Sequence, residues 1–117
     1  MRLGKLDNDE LERLVLHKFA RTRPESLQAP QVGEDCAWLD LGGDLAVFSC
    51  DPITSASDRH LGRLSVHVNC NDAAAAGAEP VGLLVTLLAP PDATPEQIGR
   101  IADELAREAR RAGVDVI

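Results

Sequence analysis

Three aspartates next to predicted secondary-structure elements are the residues of this chain best suited to chemistry. Asp35 comes directly before an apolar segment, Asp51 follows the next one, and Asp72 stands in an alanine-rich segment after Asn69. Carboxylate oxygens are ligands that hard divalent cations such as Mg²⁺ prefer. If the three side chains converge, they can hold such an ion. Each also has an ordinary structural interpretation, because aspartate is common in turns and on solvated helix faces.

A predicted hairpin positions the first two carboxylates. Residues 36–41 and 45–50 read as strands, and the Gly-Gly-Asp segment 42–44 between them reads as a turn. In an antiparallel hairpin, the start of the first strand and the end of the second lie at the same end of the sheet. We therefore expect Asp35 and Asp51 to lie close together.

A predicted helix over residues 62–78 carries the third carboxylate. Alanine has the highest helix propensity, so the run of alanines favours this helix. Gly77 suits the C-terminal end, and Pro80 prevents continuation. The small side chains would allow another backbone or a ligand to approach Asp72 closely, although tight helix packing explains them equally well.

The remaining patterns complete a single domain over residues 1–117. We expect a first helix from Asp7 to about Arg21, a loop over 53–60 and a strand over 81–89 that is buried on both faces. A strong helix start at Thr94 leads into an apolar stripe that Gly113 terminates, and a strand follows over 114–117. The predicted order is α-β-β-α-β-α-β.

This order predicts an α+β fold with two layers, a mixed sheet of about four strands with helices on one face. About four strands and three helices cannot cover both faces of that sheet. We therefore expect a partner chain to cover the open face. The chain ends inside the last apolar strand, which we interpret as a piece of a longer protein.

Composition excludes several classes of protein. With 44% hydrophobic residues but only 3% aromatic residues, the chain has a core of aliphatic side chains. A net charge of −7 argues against a broad nucleic-acid surface. No apolar run is long enough to span a bilayer, and Met1 to Lys5 begin no apolar leader. The three cysteines, Cys36, Cys50 and Cys70, include no C-x-x-C pair. We expect buried thiols in a cytoplasmic protein.

Three motifs together resemble one known family. They are GEDCA at 33–37, SCDPIT at 49–54 and VNCNDAAAAGAEP at 68–80. In this order they are similar to the N-terminal domain of the AIR synthase-related superfamily, and the resemblance covers nearly the whole chain. Members include aminoimidazole ribonucleotide synthetase, thiamine-monophosphate kinase, selenophosphate synthetase and a hydrogenase-maturation protein that makes a thiocyanate from a carbamoyl-cysteine.

The resemblance implies a magnesium- and ATP-dependent reaction that activates an amide, carbamoyl or phosphate oxygen of a small-molecule or peptide substrate by phosphoryl transfer. It implies that Asp35, Asp51 and Asp72 are magnesium ligands, and that Ser49, Asn69 and Asp72 lie at the nucleotide. It also implies a homodimer whose two sheets pair into a barrel, with ATP near the interface. No catalytic residue is assigned.

Departures from the family pattern decide between its branches. Thiamine-monophosphate kinases usually carry a histidine where this chain has Asp58, and His60 lies two residues later. A hydrogenase-maturation-like domain is therefore favoured, with a thiamine-monophosphate kinase-like domain as the alternative. The resemblance covers only the N-terminal domain of the family, so we expect this piece alone to be inactive and to bind nucleotide weakly. A non-catalytic dimerisation module and a regulatory protein for another small anion remain open.

Overall fold

The computed structural model describes residues 6–54 and 59–117. The chain forms two compact units, which divide between Ser49 and Cys50. The predicted order of elements is confirmed. The elements are helix α1 (Asn8–Leu14), a 3₁₀ turn (Leu16–Lys18), strands β1 (Cys36–Asp40) and β2 (Leu45–Ser49), helix α2 (Leu61–Ala75), strand β3 (Gly82–Leu83), helix α3 (Pro95–Ala112) and strand β4 (Asp115–Val116). The N-terminal residues 1–5 and the loop residues 55–58, Asp58 among them, lie outside the described residues.

The first unit contains the predicted hairpin. Strands β1 and β2 are antiparallel, and their register pairs Cys36 with Ser49 and Asp40 with Leu45. The carboxylate of Asp40 accepts a hydrogen bond of 2.8 Å from the N–H of Gly42. Gly42 has φ +88°, a conformation that residues with a side chain rarely adopt. The glycine pair between the strands is therefore a requirement of this turn.

Helix α1 is shorter than predicted. Its start is confirmed, because Asp7 accepts a hydrogen bond of 2.8 Å from the N–H of Glu10. It ends at Leu14 rather than near Arg21, and a 3₁₀ turn follows. No residue of α1 is buried. A short helix depends on packing of its apolar face, so this one has little to extend it beyond two turns.

The second unit packs two helices against a small parallel sheet. Its buried core consists of Val66 on α2, Ala109 on α3 and Val114 before β4. Leu83 on β3 and Leu105 on α3 pack against these residues. Strands β3 and β4 are parallel, and α3 connects them. This arrangement confirms an α+β architecture.

Glycine allows α2 and α3 to approach closely. Gly62 is buried, and a methyl group on it would stand 2.6 Å from Leu105 N and 2.7 Å from Ile101 O. Both atoms belong to the backbone of α3. The sequence prediction that a helix begins near Gly62 is confirmed, but the helix crossing at this residue was not predicted.

Both long helices end in the same motif. In α2, Gly77 has φ +77°, and the N–H of Ala78 donates to the carbonyl of Ala73 over 2.9 Å. In α3, Gly113 has φ +72°, and the N–H of Val114 donates to the carbonyl of Ala109 over 3.1 Å. This pattern of a left-handed glycine followed by a long backward hydrogen bond satisfies the last carbonyls of a helix. Helix α2 therefore ends at Ala75, three residues before the predicted end.

A buried carboxylate joins the two helices. Glu108 on α3 is 5% exposed, and its Oε2 lies 3.3 Å from His67 Nε2 on α2. Its Oε1 accepts from Arg111 over 2.8 Å and from Arg107 over 3.4 Å. Burial alone would raise the pKa of Glu108, but the hydrogen bonds from His67 and Arg107 and the charge of Arg111 together lower that pKa. Glu108 therefore links α3 to His67 of α2 through a side-chain contact.

The predicted single sheet of about four strands is wrong for the described residues. They contain two separate two-stranded sheets, β1–β2 and β3–β4. The strand expected over 81–89 has only two residues in a ladder, and Leu84 and Leu88 are 84% and 89% exposed. A strand needs a neighbour for its backbone and a cover for its apolar side chains. The described chain supplies neither beyond Leu83, so this segment is exposed instead of buried on both faces.

The cysteines differ from one another. Cys50 is exposed, whereas Cys36 and Cys70 are half-buried, and all three are free thiols. The expectation of buried thiols is therefore wrong for Cys50, which follows the end of β2. Among the described residues, no helix is both long enough and apolar enough to cross a membrane.

Candidate functional site

One asparagine on α2 holds the main chain of Asp51. The Oδ1 atom of Asn69 accepts a hydrogen bond of 3.0 Å from the N–H of Asp51. Its Nδ2 donates to the carbonyl of Asp51 over 3.4 Å and to the carbonyl of Ser65 over 2.9 Å. Asn69 and Asp51 are 18 residues apart in the chain, and one side chain bonds to both the N–H and the carbonyl of Asp51. The site is built on this contact, which lies wholly within the second unit.

Asp72 lies on the same side of α2 as this contact. It follows Asn69 by three residues, and residues at that spacing are neighbours on a helix surface. Asp72 is half-exposed and Asp51 is exposed, so water and ions can reach both residues. The carboxylate of Asp51 makes no hydrogen bond or ion pair within the described residues. The second unit therefore brings two predicted metal ligands to one side of one helix.

Asp35 and Ser49 belong to the first unit. Asp35 is exposed and stands directly before β1, while Ser49 is the last residue of β2 and pairs with Cys36. The antiparallel hairpin that motivated the prediction is confirmed up to Ser49. Among the described residues, no group of three or more His, Cys, Asp or Glu side chains is arranged to hold a metal ion. The convergence of all three aspartates stays a prediction.

The carboxylate oxygens of the second unit suit a hard divalent cation. Mg²⁺ commonly takes one or two carboxylates from a protein and completes its shell with water and phosphate oxygens. Asp51 and Asp72 supply such oxygens. The nearby thiol of Cys70 faces the core, and burial raises its pKa, which keeps it protonated and a poor metal ligand. The residues present therefore fit magnesium better than a soft metal.

Sequence reasoning predicted Asn69 as a nucleotide contact and missed its link to Asp51. The signal that was available is spacing, because Asn69 lies four residues after Ser65 and three before Asp72 on one side of α2. Pro52 adds a second signal, since a proline restricts the residue before it to extended conformations. Neither pattern identifies Asp51 as the partner of Asn69, because the two residues are 18 positions apart and only the folded chain brings them together.

A separate cavity lies elsewhere on α2. It has a volume of about 460 Å³ and is lined by His60, Arg63, Leu64 and His67. At 3.6 residues per turn, Arg63 and His67 lie on the opposite side of the helix from Asn69 and Asp72. The cavity is therefore distinct from the candidate metal site, and His60 belongs to it.

Comparison with known proteins places this chain in a family. Residues 33–117, which contain all three aspartates, match the family described as "AIR synthase related protein, N-terminal domain". The chain belongs to this family. The predicted resemblance is thus confirmed, and within the match lie the hairpin, α2 and the contact between Asn69 and Asp51.

Three curated proteins are similar to this chain over most of its length. The chain is 34% identical to "Hydrogenase expression/formation protein HupE" of Azotobacter chroococcum mcd 1, over 68% of this chain and 27% of that protein. It is 33% identical to "Carbamoyl dehydratase HypE" of Azotobacter vinelandii over the same shares. It is 32% identical to "Carbamoyl dehydratase HypE" of Cupriavidus necator, over 71% of this chain and 28% of that protein. The chain therefore spans little more than a quarter of each relative. No solved structure matches it.

Proposed function

We propose that this chain is the magnesium- and nucleotide-binding part of an ATP-dependent hydrogenase-maturation enzyme, acting in the cytoplasm. The observation that carries the proposal is the hydrogen bonding of Asn69 to Asp51, which holds one carboxylate residue on the side of α2 that bears Asp72. The family match and the names of the relatives support the same conclusion.

The proposed site uses Asp51 and Asp72 from the second unit. That Asp35, directly before β1, joins them stays a prediction from the sequence. These carboxylates would hold Mg²⁺, which neutralises phosphate charge and orients the γ-phosphoryl group of ATP. Ser49 and Asn69 would lie beside the nucleotide. Because two relatives are named carbamoyl dehydratases, the proposed acceptor is a carbamoyl oxygen. Transfer of the γ-phosphoryl group from ATP to that oxygen would release ADP and turn the oxygen into a leaving group. Its departure as phosphate, with loss of both protons from the carbamoyl nitrogen, would leave a carbon–nitrogen triple bond and complete a dehydration. A thiamine-monophosphate kinase-like acceptor is the alternative within the family.

A thermal-shift experiment tests nucleotide and metal binding. Mg²⁺ with ATP should raise the melting temperature of the intact protein, because a ligand at about 100 times its Kd adds about 2.7 kcal/mol to the free energy of unfolding. Asp72→Asn should abolish the rise. Asp103→Asn, an exposed residue on α3, is the matched control and should keep it. If the wild-type protein shows no rise, or if Asp72→Asn retains it, the proposed site is wrong.

Pairing of two copies through the sheet is the second part of the proposal. Large apolar side chains around β3 and β4 are exposed: Val81, Leu84, Leu88 and Ile117 are 77%, 84%, 89% and 76% exposed. Several exposed large apolar side chains on a folded domain favour an interface. This observation also favours the second candidate function, a dimerisation module without catalysis.

Light scattering coupled to size-exclusion chromatography tests the pairing. We expect the wild-type protein to elute as a dimer and Leu84→Asp to elute as a monomer, because a buried unpaired carboxylate opposes association. Ala102→Asp, which places the same charge on an exposed site of α3, should leave the dimer intact. A monomeric wild-type protein would end this part of the proposal. A dimer that shows no thermal response to Mg²⁺ and ATP would favour the module without catalysis.

A further inference from the structure

We infer that Asn69 serves the site as a positioning residue, which fixes the main chain of Asp51 against α2 and thereby sets the affinity of the metal site. The inference that metal affinity depends on Asn69 rests on the proposed function. The contact between Asn69 and Asp51 does not, because the structure contains it.

The hydrogen-bond capacity of Asn69 leaves little for a ligand. A side-chain amide has two N–H donors and one oxygen that accepts at two lone pairs. Both donors are directed to carbonyl groups, those of Asp51 and Ser65, and the oxygen accepts from the N–H of Asp51. While these bonds persist, Asn69 has no N–H left for a phosphate oxygen. Its contribution to the site therefore passes through Asp51.

The contact restrains Asp51 without engaging its carboxylate. Both main-chain polar groups of Asp51 are bonded to one side chain, and the following Pro52 confines Asp51 to extended conformations. The carboxylate itself has no partner within the described part of the chain. A ligand group held in place before the ion arrives loses less conformational entropy on binding, so the restraint favours affinity.

The side of α2 on which Asn69 holds Asp51 matters as well as the strength of the contact. Asn69 is itself tied to the helix through the Ser65 carbonyl, one turn earlier, and Asp72 lies nearly one turn later on the same side. Asp51 is thereby held on the side of α2 that carries Asp72. Loss of groups that orient metal ligands typically lowers metal affinity 10- to 100-fold. A loss of about 10-fold is expected here for Asn69→Ala, because one of the ligands is oriented by it.

Amide hydrogen exchange, measured by NMR on the intact protein, tests the contact directly. The N–H of Asp51 should be protected in the wild-type protein and should lose protection in Asn69→Ala. Asn69→Asp keeps an oxygen that can accept from this N–H and should retain more protection than the alanine variant. Asn71→Ala is the matched control, because Asn71 is exposed and lies on the opposite side of α2. Asn69→Ser, too short to reach Asp51, replaces the alanine variant if that variant does not fold.

Titration with MnCl₂, followed by electron paramagnetic resonance of the free ion, tests the effect on the metal. Mn²⁺ prefers the same oxygen ligands as Mg²⁺ and gives a direct signal. The expected result is binding about 10-fold weaker in Asn69→Ala and unchanged in Asn71→Ala. Unchanged protection of Asp51 in Asn69→Ala overturns the contact, and unchanged Mn²⁺ affinity overturns its effect on the metal. If the wild-type protein binds no Mn²⁺, the proposed function and the metal half of the inference fail together, while hydrogen exchange still decides the contact.

Discussion

Gly62 on α2 lies against the backbone of Leu105 on α3, where a methyl group would stand 2.6 Å from the Leu105 nitrogen. A carbon atom cannot occupy that position unless one helix moves. The helices carry the core of the second unit, and α2 also carries Asn69 and Asp72. This contact therefore links the stability of the unit to the placement of the candidate site.

Gly62→Ala should lower the free energy of unfolding by about 1–3 kcal/mol, the usual effect of overpacking. Alanine favours a helix over glycine by about 1 kcal/mol, but the clash with backbone atoms outweighs this gain. Urea unfolding followed by circular dichroism measures the change. Gly99→Ala is the control, since nothing lies within 4 Å of the added methyl group, and it should be neutral or stabilising. A stabilised Gly62→Ala variant would contradict the close approach.

Glu108→Gln should reduce the pH dependence of stability in the acidic range. The pKa of Glu108 is lowered in the folded protein, so as the pH falls the unfolded chain takes up this proton first. The stabilisation from Glu108 is therefore complete above the ordinary glutamate pKa and is lost as the pH falls through the folded pKa. The groups facing Glu108 are His67, Arg107 and Arg111.

Urea unfolding across a pH series checks this prediction. The wild-type protein should be more stable than Glu108→Gln at neutral pH, and the difference should shrink in acid. Glu12→Gln is a matched control, because Glu12 also pairs with a histidine, His17, at 3.4 Å but with both side chains more than half exposed. Exposed pairs contribute at most about 1 kcal/mol. A difference between wild type and Glu108→Gln that does not change with pH would count against the buried network.

Thr94→Ala should destabilise the protein by about 1 kcal/mol through loss of the helix cap. The Thr94 hydroxyl accepts from the N–H of Gln97 over 3.3 Å, and the Gln97 side chain accepts from the N–H of Thr94 over 2.8 Å. Thr94→Ser keeps a hydroxyl and should retain most of the stability. Equal melting temperatures for the alanine and serine variants would contradict a contribution from the cap.

Iodoacetamide should alkylate Cys50 faster than Cys70. Cys50 is exposed, whereas Cys70 packs against the core and burial raises its pKa, so less of it is thiolate near pH 8. Peptide mass spectrometry of samples quenched over time measures both rates. In urea the two rates should converge. Faster labelling of Cys70 in the folded protein would show that α2 is not packed as described.

Local signals in the sequence predicted the ends of elements well. Asp7, Thr94, Gly77 and Gly113 act at helix ends as their residue types predict, since capping depends on neighbours within one turn. The Gly-Gly turn of the hairpin was predicted for the same reason. The length of α1 was not, because a helix extends only as far as tertiary packing supports it.

The apolar run from Val81 to Ala89 shows the limit of pattern reasoning. Its composition predicts a fully buried strand, yet only Gly82 and Leu83 join a ladder and Leu88 is 89% exposed. An apolar composition indicates that a segment favours burial, but burial requires a second surface that covers the segment. The pattern cannot say whether that surface belongs to the same chain.

The sequence by itself determined the order of the elements, the helix caps and the family, and it singled out three aspartates as candidate metal ligands. Each of these depends on residue type at short spacing or on a motif. Only the tertiary structure decided that Asn69 bonds to Asp51, that Gly62 meets Leu105 and that Glu108 is buried among three cationic or imidazole side chains. Those contacts join residues far apart in the chain. Their partners are selected by how α2 and α3 pack, which no local pattern specifies.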